Sequence, residues 1–278
     1  GNVVLKKSKV LKTLLAATAA LIAQAAVAKE TINVTVLSGY PDRTSWVRVF
    51  KEFWMPEVNK RLAEKGNYEL NYLEAFGTVV KPRGEFDGTQ NGLGNIGLVV
   101  SIFHADKIPL SSVSYVAPFT SVDLELNPRL NDELTFSIPE MRQGWEKFNL
   151  EFLGHMATIK TYAVMSKEPI KSLEDFKGIK VSGAGLNLRW LEGLGATGVP
   201  SALTKFYQDV NSGVTDAMIA WADAVASFKL CEAAPYFLSA DMGAVTALAV
   251  VANKPWFDGL PDEVKDVMRE VTPLYRDE

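Results

Sequence analysis

The sequence predicts an α/β fold with mostly parallel sheets, and two observations carry that expectation. Short runs rich in β-branched residues alternate with segments whose apolar residues recur at helical spacing, from Thr31 onward. Between them stand glycine, proline, asparagine and aspartate, the residues that turns and helix ends require.

Thr31 to Leu37 (TINVTVL) reads as the first strand and Ser38-Gly39-Tyr40-Pro41-Asp42 as a turn. Trp46, Val49, Phe50, Phe53 and Trp54 then recur at helical spacing, and the segment runs on through Val58 and Leu62 until Gly66-Asn67 stops it. Tyr68 to Glu74 is a second strand, so the chain opens strand, helix, strand, the unit of a parallel sheet. A short helix is expected over Gly84 to Gly92, and strands over Asn95 to Ser101 and Ser111 to Val116. Pro139 to Phe148 reads as helix, and Glu151 to Leu153 and Thr161 to Met165 as short strands. Ser172 caps a helical turn that has Asp175 three residues on. Ile179 to Val181 is a strand, Leu186 to Leu194 a helix, Leu203 to Ser212 a helix ended by Gly213, and Ala217 to Ala220 a strand. The last helix, Asp262 to Val271, follows Pro261. Ligands of parallel sheets sit beyond the carboxyl ends of strands, which points to the turns Ser38 to Ser45, Ser182 to Asn187 and Ala220 to Asp223.

The first 28 residues have the layout of a secretory signal peptide: a basic start of Lys6, Lys7, Lys9 and Lys12, an apolar run from Thr13, and the small-x-small site Ala26-Val27-Ala28. The run is short of the roughly 20 apolar residues a membrane span needs. Removing those four lysines takes the formal net charge from −4 to −8, and no basic stripe follows, so nucleic acid is not an expected partner. The single cysteine, Cys231, lies in a helical-looking stretch and is expected to be a small buried side chain. The two histidines, His104 and His155, lie far apart and are expected at element ends; no metal-ligand spacing, dinucleotide fingerprint or nucleophile elbow is present, so no cofactor is expected.

The stretch from Lys171 to Asp216 carries a family resemblance. Leu173 to Val181, Trp190-Leu191, Leu194-Gly195-Ala196-Thr197 and Phe206-Tyr207 through Gly213-Val214-Thr215-Asp216 follow one another at a specific spacing, and Lys254 to Pro261 continues it. This pattern resembles the extracytoplasmic solute-binding proteins of TRAP transporters. The resemblance implies a two-lobed periplasmic binding protein fold, with one lobe formed by 31–158 and 248–278 and the other by 159–247. It also implies hinge closure on a small organic acid, delivery to the membrane subunits of a TRAP transporter, a periplasmic location, and no catalysis. Family members continue past the last residue here, so a C-terminal part of the fold is expected beyond Glu278.

The departures from the family concern ligand contacts. Where most relatives grip a carboxylate with arginine, this chain has Ser182, whose hydroxyl lacks the bidentate charge of a guanidinium. Trp221 falls where many relatives have the proline of an Asn-Pro pair, and Lys160 and Tyr162 lie where another arginine is common. Asp87 matches a frequent acidic position of the first lobe, Asn187 belongs to the Ser182 turn, and Tyr40 and Trp46 are wall candidates in the first turn. The ligand implied is a monocarboxylate, bulky or aromatic, more than a four-carbon dicarboxylate. Two other readings stay open: a periplasmic sensor module that binds a ligand for a receptor, and an α/β hydrolase.

Overall fold

A computed structural model describes residues 28–119 and 121–278; the segment expected to be a signal peptide, all but Ala28, lies outside them. The elements fall into two five-stranded sheets. In chain order the strands are β1 (Glu30–Ser38), β2 (Tyr68–Phe76), β3 (Ile96–Val100), β4 (Leu150–Ile159), β5 (Tyr162–Ser166), β6 (Lys180–Gly183), β7 (Thr197–Pro200), β8 (Ala217–Trp221), β9 (Tyr236–Ser239) and β10 (Val245–Asn253). The first sheet has the order β2-β1-β3-β10-β4, the second β7-β6-β8-β5-β9.

Each sheet is mixed rather than mostly parallel. In the first, β1 pairs in parallel with β2 and β3, whereas β10 runs antiparallel to β3 and β4. In the second, β6 pairs in parallel with β7 and β8, whereas β5 runs antiparallel to β8 and β9. The cause is the path of the chain. It leaves the first sheet along β4, enters the second along β5, and returns from β9 into β10. β10 inserts between β3 and β4, and each of its nine residues is buried. Its sequence, VTALAVVAN, has an apolar run from Ala247 to Ala252 with neither helical nor strand period, which suits a strand covered on both faces.

The first helix forms in three pieces: Ser45–Val49, a π-helical turn at Phe50–Trp54, and Met55–Lys65, closed by Gly66 at φ +83°. Pro56 has no N–H for the carbonyl of Glu52, which removes one regular bond beside the wider turn. Phe50 and Trp54 stack at 4.5 Å and are fully buried, and Trp54 Nε1 donates to Thr272 Oγ1 of the last helix, Asp262–Asp277. The expected cap at Ser172 is present: the Asp175 carboxylate accepts from the backbone N–H groups of Lys171 and Ser172.

Three local expectations are corrected. Ser111 to Val116 is not a strand but the end of a 3-10 turn, Pro109–Ser112, followed by a helix, Val113–Val116. Pro109 starts the turn, the place beside β3 belongs to β10, and the helix buries Tyr115 while Val113 and Val116 stay exposed. Cys231 is exposed, because in the tight turn Leu230–Glu232 it is Leu230 that points inward. His155 lies inside β4, fully buried, and not at an element end.

Candidate functional site

The two sheets meet across a cavity lined with aromatic rings. Tyr40 follows the end of β1, Trp46 begins the first helix, Phe103 follows β3, Tyr162 opens β5 and Trp221 closes β8. Trp46 lies 5.0 Å from Tyr40 and 6.1 Å from Trp221; Tyr162 lies 5.5 Å from Trp221 and 6.4 Å from Tyr115. Edge contacts prevail, the arrangement ring quadrupoles favour. The residual volume is only about 20 Å³. The rings therefore fill the space, and an organic solute enters only if the lobes part.

Several contacts hold the lobes together at this line. Ser45 Oγ donates to Asp223 Oδ2 at 2.6 Å, Trp190 Nε1 donates to the carbonyl of Tyr115 at 3.0 Å, and the hydroxyls of Tyr115 and Tyr162 stand 3.4 Å apart. At Gly185, φ is +46° and a Cβ would come within 2.4 Å of the Ile102 carbonyl oxygen, so the backbones of the two lobes touch where only glycine fits.

The cavity wall is neutral but not wholly satisfied. Trp46 Nε1 is buried without an acceptor, and behind the wall the Asn187 amide, in a residue only 1% exposed, adjoins the Tyr162 hydroxyl. An unmade bond of this kind costs about 1–3 kcal/mol. Burial pushes the Tyr162 phenol up to about 12, with the neighbouring Tyr115 hydroxyl and Asn187 amide pulling the other way. Burial also raises the Tyr40 phenol well above its ordinary value, and the Glu85 carboxylate adds to this. Both tyrosines are therefore protonated hydrogen-bond donors at neutral pH. Glu85 is fully buried behind the Tyr40 turn: one oxygen accepts from the Gly39 N–H at 2.8 Å, the other has no partner, and burial raises its pKa to about 7.

Of the residues singled out from the sequence, Tyr40, Trp46, Tyr162 and Trp221 line this one cavity. Asn187 adjoins Tyr162. The other three lie elsewhere. Ser182 is fully buried, but its hydroxyl is taken up by Thr215 Oγ1 at 2.9 Å and Asp209 Oδ2 at 3.2 Å. Asp87 is on the exposed face of the helix Gly84–Gln90, paired with Lys107 at 2.6 Å. Lys160 is exposed at the crossing from β4 to β5. Sequence reasoning missed Phe103 and Tyr115. The turn after β3 was open to the same strand-end argument that found Tyr40, whereas Tyr115 was hidden by the expectation of a strand.

A larger apolar hollow, about 550 Å³, lies on the other side of Tyr115 and Tyr162, which line both spaces. Its charged residues are Arg189 and Glu192. Among the described residues no group of histidine, cysteine, aspartate and glutamate is arranged to hold a metal ion, and no helix is long and apolar enough to cross a membrane.

The model of the DctP family, described as bacterial extracellular solute-binding protein family 7, matches residues 36–278. Several solved structures share the fold. An extracytoplasmic solute receptor of Bordetella pertussis binding pyroglutamic acid, DctP7, superposes with a TM-score of 0.76 at 19% identity, over 88% of this chain and 79% of that one. A marine metagenome TRAP solute-binding protein specific for aromatic acid ligands, in complex with 3-hydroxybenzoate, gives 0.73 at 21% identity, over 87% and 75%. A TRAP periplasmic solute-binding protein of Bordetella bronchiseptica with bound mandelate gives 0.70 at 20% identity, over 88% and 78%.

Proposed function

We propose, from the premise that this chain belongs to bacterial extracellular solute-binding protein family 7, that it captures a monocarboxylate with a planar or aromatic body by closing two lobes over it. The family is one of solute-binding receptors and not of enzymes, and its receptors take up small organic acids for the membrane subunits of TRAP transporters. The observation that carries the finer reading is the ring of Tyr40, Trp46, Tyr162 and Trp221 between the sheets. Flat aromatic walls select a planar apolar body, and the unpartnered Trp46 donor suits one oxygen-bearing group. Two carboxylates would need more charge than this wall offers. Relatives of the same fold that bind 3-hydroxybenzoate, mandelate and pyroglutamate support this class.

The lobes we assign follow the expected division at 158/159 and 247/248, moved by a few residues to the sheets: β1 to β4 with β10 and the last helix form one, β5 to β9 the other. Their hinge is the pair of crossings at Lys160-Thr161 and at 240–244, where the chain passes between the sheets. Export through the leader before Lys29 would place the protein in the periplasm, facing the transporter.

The test is a binding panel on the full chain by calorimetry and thermal shift: 3-hydroxybenzoate, mandelate and pyroglutamate against succinate and malate. Micromolar or tighter binding of an aromatic monocarboxylate, with succinate at least about tenfold weaker, is expected. Submicromolar succinate with no aromatic binding would sink the reading, the more so if it survives Lys160→Ala.

A further inference from the structure

None of the side chains that line the aromatic cavity is charged. A carboxylate shut in there would lie in a low-dielectric space without a counter-charge, which is costly. The cation must come from an adjoining space.

One is present. A groove of about 860 Å³ runs between the lobes, with Gly39, Arg43, Lys81 and Arg83 on one side and Pro200, Lys205 and Asp209 on the other. Among the described residues, none of these four cations pairs with a carboxylate within 4.0 Å. The one acid, Asp209, is already engaged: its Oδ2 accepts from Ser201 Oγ at 2.5 Å and from Ser182 Oγ at 3.2 Å. Four cations against one carboxylate leave the groove with a net positive charge.

Groove and cavity share walls. Gly39 lines the groove and the next residue, Tyr40, the cavity; Ala202 and Thr204 line the groove and Leu203, between them, the cavity. The nearest bridge is Arg83, whose guanidinium carbon stands 4.6 Å over the ring of Phe103, a cavity residue. Arg83 also adopts φ +82°, a left-handed conformation that suits glycine and costs an arginine energy. A strained residue of this kind, with its charge unspent, points to a use outside the fold itself.

We infer that Arg83 holds the solute's carboxylate at the junction of groove and cavity, with Arg43 and Lys81 beside it and Lys205 facing them from the second lobe. The inference rests on the solute-binding reading above and supplies the cation that the cavity lacks. The planar body lies among the rings and the anion faces the groove. The first lobe carries three of the four cations, so it meets the anion first, and closure brings up Lys205. The same unpaired cations draw anions toward the open cleft, which makes association salt-dependent.

The experiment compares each acid with its uncharged amide: 3-hydroxybenzoate with 3-hydroxybenzamide, and mandelate with mandelamide. Wild-type chain should prefer the acid by roughly tenfold to a hundredfold, as a charge-assisted bond implies, and the preference should shrink with salt. Arg83→Gln should abolish most of that preference, lowering affinity for the acid far more than for the amide. Arg83→Gly should do the same and raise Tm, since glycine relieves the left-handed strain; a merely structural role for Arg83 could not yield that pair of results. Equal affinity of the wild type for acid and amide would overturn the inference and leave the solute reading standing. So would a preference untouched by Arg83→Gln, Arg43→Gln and Lys81→Gln, the result expected if the groove served an acidic segment of a partner protein. If wild-type chain bound neither acid nor amide, the solute reading would fall and this inference with it.

Discussion

Tyr40 and Trp46, Tyr162, and Trp221 come from three distant stretches of chain, yet each ring stands about 5 to 6 Å from the next, and Trp46 meets Trp221 across the cleft. Each is at most 9% exposed, so each is a wall and also part of the core. Trp221→Ala should lower affinity for the aromatic acids of the panel about tenfold or more, because aromatic contact adds about 0.5–1.5 kcal/mol to area burial. Calorimetry on folded variant protein checks this, and undiminished affinity would remove Trp221 from the wall. Glu85 makes a second prediction, in pH. Its folded pKa is about 7 against an ordinary 4.5, so between these values the folded state keeps a proton that the unfolded chain has released. Its contribution to stability is whole below pH 4.5 and is lost as pH rises through 7, a loss of at most about 3 kcal/mol. Glu85→Gln should therefore match wild type in Tm near pH 4 and exceed it near pH 8. A difference that does not widen with pH would contradict the assignment.

At the scale of the element, β4, the helix Leu126–Ser137 and the last helix are joined through one carboxylate. Asp132 accepts from the His155 backbone N–H at 2.6 Å, bonds His155 Nδ1 at 2.9 Å, and accepts from Arg276 Nη1 at 2.9 Å. The Asp132 side chain is 8% exposed and that of Arg276 10%, so removing the acid leaves a nearly buried guanidinium with only the half-exposed Asp277 carboxylate at 3.2 Å, and takes the acceptor from the buried His155 N–H. Asp132→Ala should destabilise the protein by about 3 kcal/mol or more. Denaturant unfolding would show this as a lower midpoint at unchanged slope. Arg276→Met, which removes the charge and keeps the length, should cost less. The inner strand β10 shows why elements differ in legibility. Its residues face packing on both sides, and no alternation survives to announce it.

For the whole molecule, the decisive feature is the closed line between the lobes. Gly185 brings backbone within contact of Ile102, and Ser45 bonds Asp223 across the gap. Gly185→Val places two further carbons where even a Cβ would lie 2.4 Å from the Ile102 carbonyl oxygen, and it does so at a positive φ. The variant should remain folded but be unable to close. Small-angle scattering with saturating ligand should give a larger radius of gyration than for wild type, and affinity should fall at least about tenfold, since a solute loses the walls of one lobe. Wild-type compaction in the variant would refute the role of this contact.

What the sequence determined by itself was local and patterned. The helix–strand alternation, the glycine stop at Gly66, the capped turn at Ser172 and the turns after β1 and β8 all follow from preferences acting over a few residues. The family spacing added two lobes. Tertiary structure alone decided the rest, because it depends on which distant groups meet. It turned the Ser182 hydroxyl to Thr215 and Asp209, engaged Asp87 with Lys107, and made the strand-like Val113–Val116 a helix because β10 had filled the place beside β3. It also set Arg83, an ordinary surface arginine by sequence, over the ring of Phe103, a cavity residue. Hydrophobic period records which face of an element is buried; it carries no record of the partner across the cleft, and a binding site consists of such partners.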